Sequence, residues 1–538
     1  MEDLVEQVLA ETGGSLSSDL ARILVERHGL SAAAARQRVV RRSDAVGRLD
    51  IPFSRNSRFL YLKCYFGSQQ YWEQLTKALM DSRSAYGLAL AAIRQRGGLI
   101  PVEHFKVASG APLKQSKHLS PETVYERMRQ AGLLDTYDIP GVGPCIGLKR
   151  SSGEWEWRGS EIRARLITES ILLHGIKNWL RNLGLGSYEK VQLRQPGAKL
   201  PQVGTLAWDL SAPSYVAPMV QWGSNGPKAG FIACDILLGE PVTAEGLSPF
   251  IHKCTTLRSL AKVGRTMNVF VAQEYTKDAF ILAKRYGIMP ATPESLFGKD
   301  VARALIAVME IINRAAHTAI DPTHFEEVFQ RLGSIEGAMA NLRGALFEFL
   351  VANVMRTKCG NVELNRLIRL QSGQKVEIDV VAWQPNKLVT LIECKGYAPY
   401  SQVPDGEIED WLTKTIPTAV TYARKAHPDW SNLELRFELW TTGKLSEEAK
   451  AFIAEKAEVR PQKYTVALYE PNAVLAQARE TGDKTLARVL QKYFLEDPFR
   501  VTERAVRSRR GMPKSIFEEY LVTSSPDDHG TIDVDHGA

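Results

Sequence analysis

Four side chains between positions 348 and 395 have the types and spacing for metal-assisted hydrolysis: Glu348, Asp379, Glu393 and Lys395. Glu348 is the one carboxylate in the apolar stretch 344–355, which reads as a helix. A buried acid there is costly unless paired or metal-bound. Residues 375–383 alternate like a strand, with Val376, Ile378 and Val380 expected on one face and Glu377 with Asp379 on the other. A turn at 384–387 leads into a second strand, 388–395, where period two puts Glu393 and Lys395 on a common face. Hard carboxylate oxygens suit Mg²⁺ or Mn²⁺. Such an ion polarises a phosphate and lowers the pKa of an attacking water, and a neighbouring lysine stabilises developing charge. Buried together without a cation, the three acids would repel.

The elements that must position these groups come in the order helix, carboxylate strand, turn, Glu-Cys-Lys strand. In this the segment resembles the PD-(D/E)XK nuclease superfamily, closest to the Mrr-like restriction endonucleases and the archaeal-type Holliday junction resolvases. The motif residues are Glu348, Glu-Ile-Asp at 377–379 and Glu-Cys-Lys at 393–395, with Asp379 and Glu393 14 positions apart. The resemblance spans about 130 of 538 residues. It implies a mixed sheet flanked by helices, Mg²⁺ dependence and phosphodiester hydrolysis. By the same resemblance Glu348, Asp379, Glu393 and the Cys394 backbone carbonyl are the metal ligands, and Lys395 stands beside the attacking water. One departure is that isoleucine, not proline, precedes Asp379. Cys394 itself should point into the core on the opposite face.

The segment 158–300 echoes this plan. Glu169 lies in a helix-like stretch, Asp209 parallels Asp379, and the Ala-Cys-Asp at 233–235 aligns with Glu-Cys-Lys at 393–395. Likewise 268–273 aligns with 437–442. In that alignment Ala233 and Asp235 replace the glutamate and the lysine, so the copy should be catalytically dead and bind no metal.

Before it, residues 1–66 read as three helices and a β-hairpin, with strands near 51–53 and 59–65, resembling a winged helix-turn-helix. The third helix, 32–42, carries Arg36, Arg38, Arg41 and Arg42; three of these share a face at i, i+3, i+4, as phosphate docking needs. Residues 67–152 read as a second, less basic winged-helix-like domain. Residues 301–340 form a helical connector, 341–475 the nuclease-like domain, 476–523 a basic helical extension with Arg504 and Arg507 as further DNA-binding candidates, and 524–538 a disordered tail. The expected fold class is thus multidomain, α+β and α/β: winged helix-turn-helix modules, then two restriction-endonuclease-like α/β domains, the first degenerate and the second active.

Composition sets the outer limits. The net charge of +7 allows nucleic-acid binding without requiring it. None of the six cysteines forms a C-x-x-C pair, which argues against a zinc ribbon. No signal-like leader and no membrane-length apolar run stand out, so a cytoplasmic protein is expected. No phosphate-binding G-x-x-x-x-G-K-[ST] loop is present, so translocation would need an ATPase or helicase partner. The leading expectation is a Mg²⁺-dependent DNA endonuclease in restriction, anti-phage or anti-plasmid defence, acting on double-stranded DNA, with a homodimer as one route to a double-strand break. The alternatives are a structure-specific or junction-resolving nuclease and a non-catalytic DNA-binding regulator.

Overall fold

The structure is a computed structural model. It describes residues 3–496 except 42, 52, 54–56, 83, 117, 150–154, 156–157, 224–225, 261–262, 334, 336–337 and 460–463. Arg42, Arg504, Arg507 and most of the expected basic extension and tail therefore lie outside the described residues.

The N-terminal segment has helices Leu4–Thr12, Ser17–His28 and Ala32–Val40, with a three-stranded sheet of Ser15–Leu16, Phe59–Leu62 and Val46–Arg48. Ser31 caps the third helix by accepting from the Ala34 amide, and Gly29 ends the second in the left-handed conformation. One strand differs from expectation: pairing falls at Val46–Arg48, not 51–53. Pro52 has no N–H for a ladder, and Ile51 and Phe53 instead bury into the core of the next segment. That segment has helices Gln69–Asp81, Ala85–Gln95, Val102–Ala108 and Pro121–Gln130, and a sheet of Leu99–Pro101, Gly143–Leu148 and Leu134–Ile139. Its hairpin turns at Gly141, whose φ of 73° is the left-handed region a glycine enters without strain.

Two five-stranded sheets follow. The first has spatial order Gln192–Leu193, Leu210–Ser214, Gly230–Leu237, Thr266–Ala272, Ile288–Ala291; the second has Asn361–Arg369, Lys375–Gln384, Leu388–Lys395, Glu434–Thr441, Thr465–Tyr469. In both, the first three strands are an antiparallel meander and the last two add in parallel through helical crossovers. A long helix precedes each sheet, Gly159–Asn182 and Ala338–Lys358. In the second sheet the loop between Gln384 and Leu388 turns at Asn386, whose φ of 59° suits asparagine.

One hydrophobic core joins the sheets. It takes Ile232, Cys234, Val269 and Val271 from the first and Val380, Ala382, Ile392 and Cys394 from the second, with both long helices between. Helices Lys299–Ala315 and Pro322–Leu332 bury Leu305, Val308, Phe325 and Phe329 in the same core, so the 301–340 segment is a packed layer. The chain after the second sheet returns to it, and Tyr493 stacks on Phe329 at 4.7 Å. The outer faces are covered by Ala244–Ser259 over the first sheet and by the helices within 405–425 over the second.

Candidate active site

The carboxylate strand of the second sheet does not alternate as expected. Val376 and Ile378 pack under the outer helices, while Val380 and Ala382 pack on the central layer, so the phase changes at Asp379. Opposite this point Asn365 takes a φ of 53° and the ladder is interrupted. Asp379 is thereby freed from the sheet's regular pleat. Its Oδ2 accepts the Cys394 amide at 2.7 Å. The register Val380–Ile392, extended by one residue, sets Asp379 across from Glu393. Cys394 is buried in the central core, on the face away from Glu393 and Lys395.

Around this pair, Lys395 Nζ lies 3.1 Å from Glu393 Oε1 and 2.9 Å from Glu407 Oε2. Tyr397 donates to Glu407 at 2.7 Å. Glu348 enters from the long helix but is held by Arg163 of the other long helix, whose Nη2 donates to both carboxylate oxygens at 2.8 and 2.7 Å. Glu377 accepts the Gly141 amide at 2.8 Å, and Lys375 pairs with Asp138 at 2.7 Å, so the 134–148 hairpin docks on this edge.

Burial and mutual repulsion govern the charges. Burial, then the charge of Glu348, pushes Asp379 up to about 7; burial, then Asp379, pushes Glu393 up to about 7. Burial also raises Glu348 against the pull of Arg163. Burial opposes the Lys395 charge, but Glu393, Glu407 and Asp379 outweigh it and hold the ammonium above its ordinary range. The donor chemistry suits a hard divalent cation, since acids that repel in a buried site are what such an ion relieves. Among the described residues, no three Asp, Glu, His or Cys groups close around one point, and Glu348 is the member turned aside, onto Arg163.

The corresponding place in the first sheet corrects the alignment read from the sequence. The register Leu210–Cys234, extended by one, sets Asp209 across from Asp235. The Asp209 Oδ2 accepts the Ile236 amide at 2.9 Å, as Asp379 accepts that of Cys394. Asp235 thus stands where Glu393 stands, and Leu237, not Asp235, where Lys395 stands. The two Cys-containing triplets look alike by residue type, but the ladders fix which residues face each other: Cys234 pairs with Leu210, and Ile392 with Val380. Trp208 and Leu210 also pack in different cores, so the phase changes at Asp209 as it does at Asp379.

This first cluster has three carboxylates, but its own cations fill it. Arg194 lies 2.6 Å from Asp209 and 3.3 Å from Glu169 and packs against His104, and Lys253 Nζ lies 2.5 Å from Asp235. Lys253 also donates to the Val107 carbonyl and sits 4.0 Å over the Trp208 ring. Between the two clusters runs a cleft of about 840 Å³, lined by His104 and Arg194 on one side and by Arg163, Asn341 and Glu348 on the other.

Of the other predicted residues, Arg36, Arg38 and Arg41 are exposed on or just after the third helix. Glu377, expected on the Asp379 face, holds the Gly141 amide; Arg163, Gly141 and Glu407 were not expected at the site. Glu407 stands close in sequence to Lys395; Arg163 is 185 residues from Glu348 and only the fold joins them.

No protein-family model matches the chain, and no curated protein matches it. Among solved structures, the restriction endonuclease FokI is similar at 10% identity over 86% of this chain and 83% of that one, with a TM-score of 0.19. A score of that size shows no shared fold. Among the described residues no helix is long and apolar enough to cross a membrane.

Proposed function

We propose that the chain is a metal-dependent DNA endonuclease whose centre is Glu348, Asp379, Glu393 and Lys395. The observation that carries this reading is the part-buried facing pair Asp379 and Glu393, each pushed up to about 7, with a charged lysine beside them. Such a pair repels unless a cation joins it. Asp379, Glu393, Glu348 and the Cys394 carbonyl would hold Mg²⁺ or Mn²⁺. The ion supplies a polarised phosphate and a more acidic water when bound. The chain's own part is positional. The Cys394 amide fixes the Asp379 carboxylate, and Glu393 and Glu407 fix the Lys395 ammonium. That ammonium orients the water and stabilises charge on the phosphate as the new P–O bond forms and the ester bond breaks.

In this reading the two N-terminal modules are winged helices, and the first grips double-stranded DNA through Arg36, Arg38 and Arg41, with Arg42, Arg504 and Arg507 as further contacts. The first α/β domain is a metal-free relative of the second. The role is restriction or defence against phage and plasmids, in the cytoplasm, with an ATPase or helicase partner for translocation and a homodimer for double-strand cuts.

The test is a cleavage panel over linear, plasmid and branched DNA and RNA, with Mg²⁺, Mn²⁺ or EDTA and an Asp379→Ala control. Metal-dependent DNA cleavage lost in the control supports the reading. Cleavage indifferent to EDTA, or unchanged in the control, rejects it. Selective cutting of branched DNA would shift it to a structure-specific nuclease.

A further inference from the structure

Arg163 belongs by sequence to the first α/β domain and by contact to the second. Its side chain is 13% exposed and that of Glu348 12%. A structural ion pair buried this deeply would be expected to use both arms of the guanidinium fork and leave no donor unmet. Arg163 does not. Both bonds to Glu348 come from Nη2, and Nη1 is buried with no partner among the described residues. Arg163 and Glu348 line the cleft together, beside Gly141 and Asn341. Arg194 on the opposite wall is the control: its arms are taken up by Asp209, Glu169 and His104.

We infer that Arg163 is a phosphate-binding residue of the nuclease centre, supplied by the neighbouring domain, which serves as the counter-ion of Glu348 until a divalent cation takes that carboxylate. This rests on the reading of the centre given above. A planar fork with a free arm matches two oxygens of a phosphodiester. When Glu348 turns toward Asp379 and Glu393, Arg163 is left as an unpaired cation on the wall of the cleft, next to where a phosphate would lie. Arginine and divalent cation thus compete for one carboxylate, and arginine and DNA cooperate.

These two roles have opposite signs, which a merely structural pair does not share. In R163Q, Mn²⁺ binding measured by calorimetry without nucleic acid is expected to tighten by about threefold or more, because a competing cation is gone. In the same variant, KM for a DNA duplex should rise and kcat fall, together by about tenfold or more. R163K keeps the charge without the fork, so its Mn²⁺ affinity should stay near wild type while KM rises. If R163Q does not fold, R163K carries the test on both readouts. Weaker or unchanged Mn²⁺ binding in R163Q, or unchanged cleavage kinetics in either variant, overturns the inference. D379N separates this from failure of the underlying reading: if wild type shows no Mn²⁺ binding that D379N removes, the centre itself is misassigned and Arg163 falls with it.

Discussion

The two α/β domains place an aspartate at the same point of the same meander and solve the resulting charge problem differently. Asp209 and Asp379 both sit where the strand changes phase, and both accept the amide of the residue after the facing acid. In the first domain, Arg194 bridges Asp209 and Glu169, and Lys253 seals Asp235. In the second, Arg163 reaches Glu348 alone, and Lys395 is shared between Glu393 and Glu407. Among the described residues, Asp379 is left with a backbone amide and no cation in contact. An acid cluster closed by its own side chains is balanced within the fold; one left partly unbalanced carries repulsion that an added cation would relieve. By charge balance, the first cluster has the character of a folding element and the second that of a candidate reaction centre.

Activity distinguishes the two domains most strongly. Asp379→Ala or Lys395→Ala should reduce Mg²⁺-dependent plasmid nicking by about a thousandfold or more, as loss of a central electrostatic element does. Asp209→Asn should leave the rate per folded molecule within about twofold. Equal losses in the two domains would mean that both clusters, or neither, do the chemistry.

The same substitution should have opposite effects on stability. Asp235→Asn strands the Lys253 ammonium, which is 1% exposed, and removing one partner of a buried pair costs about 3–5 kcal/mol. Asp379→Asn removes a repelled charge and keeps an oxygen for the Cys394 amide. Because the folded pKa of Asp379 is raised to about 7, its contribution is most favourable below the unfolded value near 3.8 and is lost as pH rises through about 7. In metal-free protein, Asp379→Asn should then stabilise by on the order of 2–4 kcal/mol at pH 8, fading toward zero near pH 4. Urea melts of both variants at pH 5 and pH 8 measure this. A destabilised Asp379→Asn at pH 8 would show that its charge is already balanced.

How much of this was legible in the sequence follows from range. The helix, the alternating strand, the turn at Asn386 and the Glu-Cys-Lys strand are local patterns, and each element stands where periodicity put it. The correspondence of 268–273 with 437–442 agrees with the ladders, which place Phe270 beside Asp235 and Leu439 beside Glu393. What failed was register and reach. The phase change at Asp379 depends on Asn365 in the neighbouring strand, so alternation along one strand could not reveal it. Cys234 and Cys394 look equivalent in a list of residues, yet Cys234 faces Leu210 while Ile392, not Cys394, faces Val380. Lys253 and Arg163 arrive from a crossover helix and from another domain, and no spacing rule connects them to the acids they meet.

The smallest expected effect tests how far the second site depends on support beyond its four central residues. Glu407 is one of two carboxylates on Lys395, is 37% exposed, and is steadied by Tyr397. Glu407→Gln keeps the shape and the Tyr397 contact but removes a charge. Solvent screening at that exposure limits the loss to about 1 kcal/mol, or about fivefold in kcat/KM. Because Glu407 helps hold the ammonium above its ordinary range, the variant should also lower the pH at which activity falls on the alkaline side. Glu393 still holds Lys395, so the fall should be a shift and not a collapse. A pH–rate profile of Glu407→Gln against wild type reads both quantities. A loss as large as that of Lys395→Ala would promote Glu407 from a brace to a member of the centre, and the second domain would then differ from the first by an added acid as well as by its missing cations.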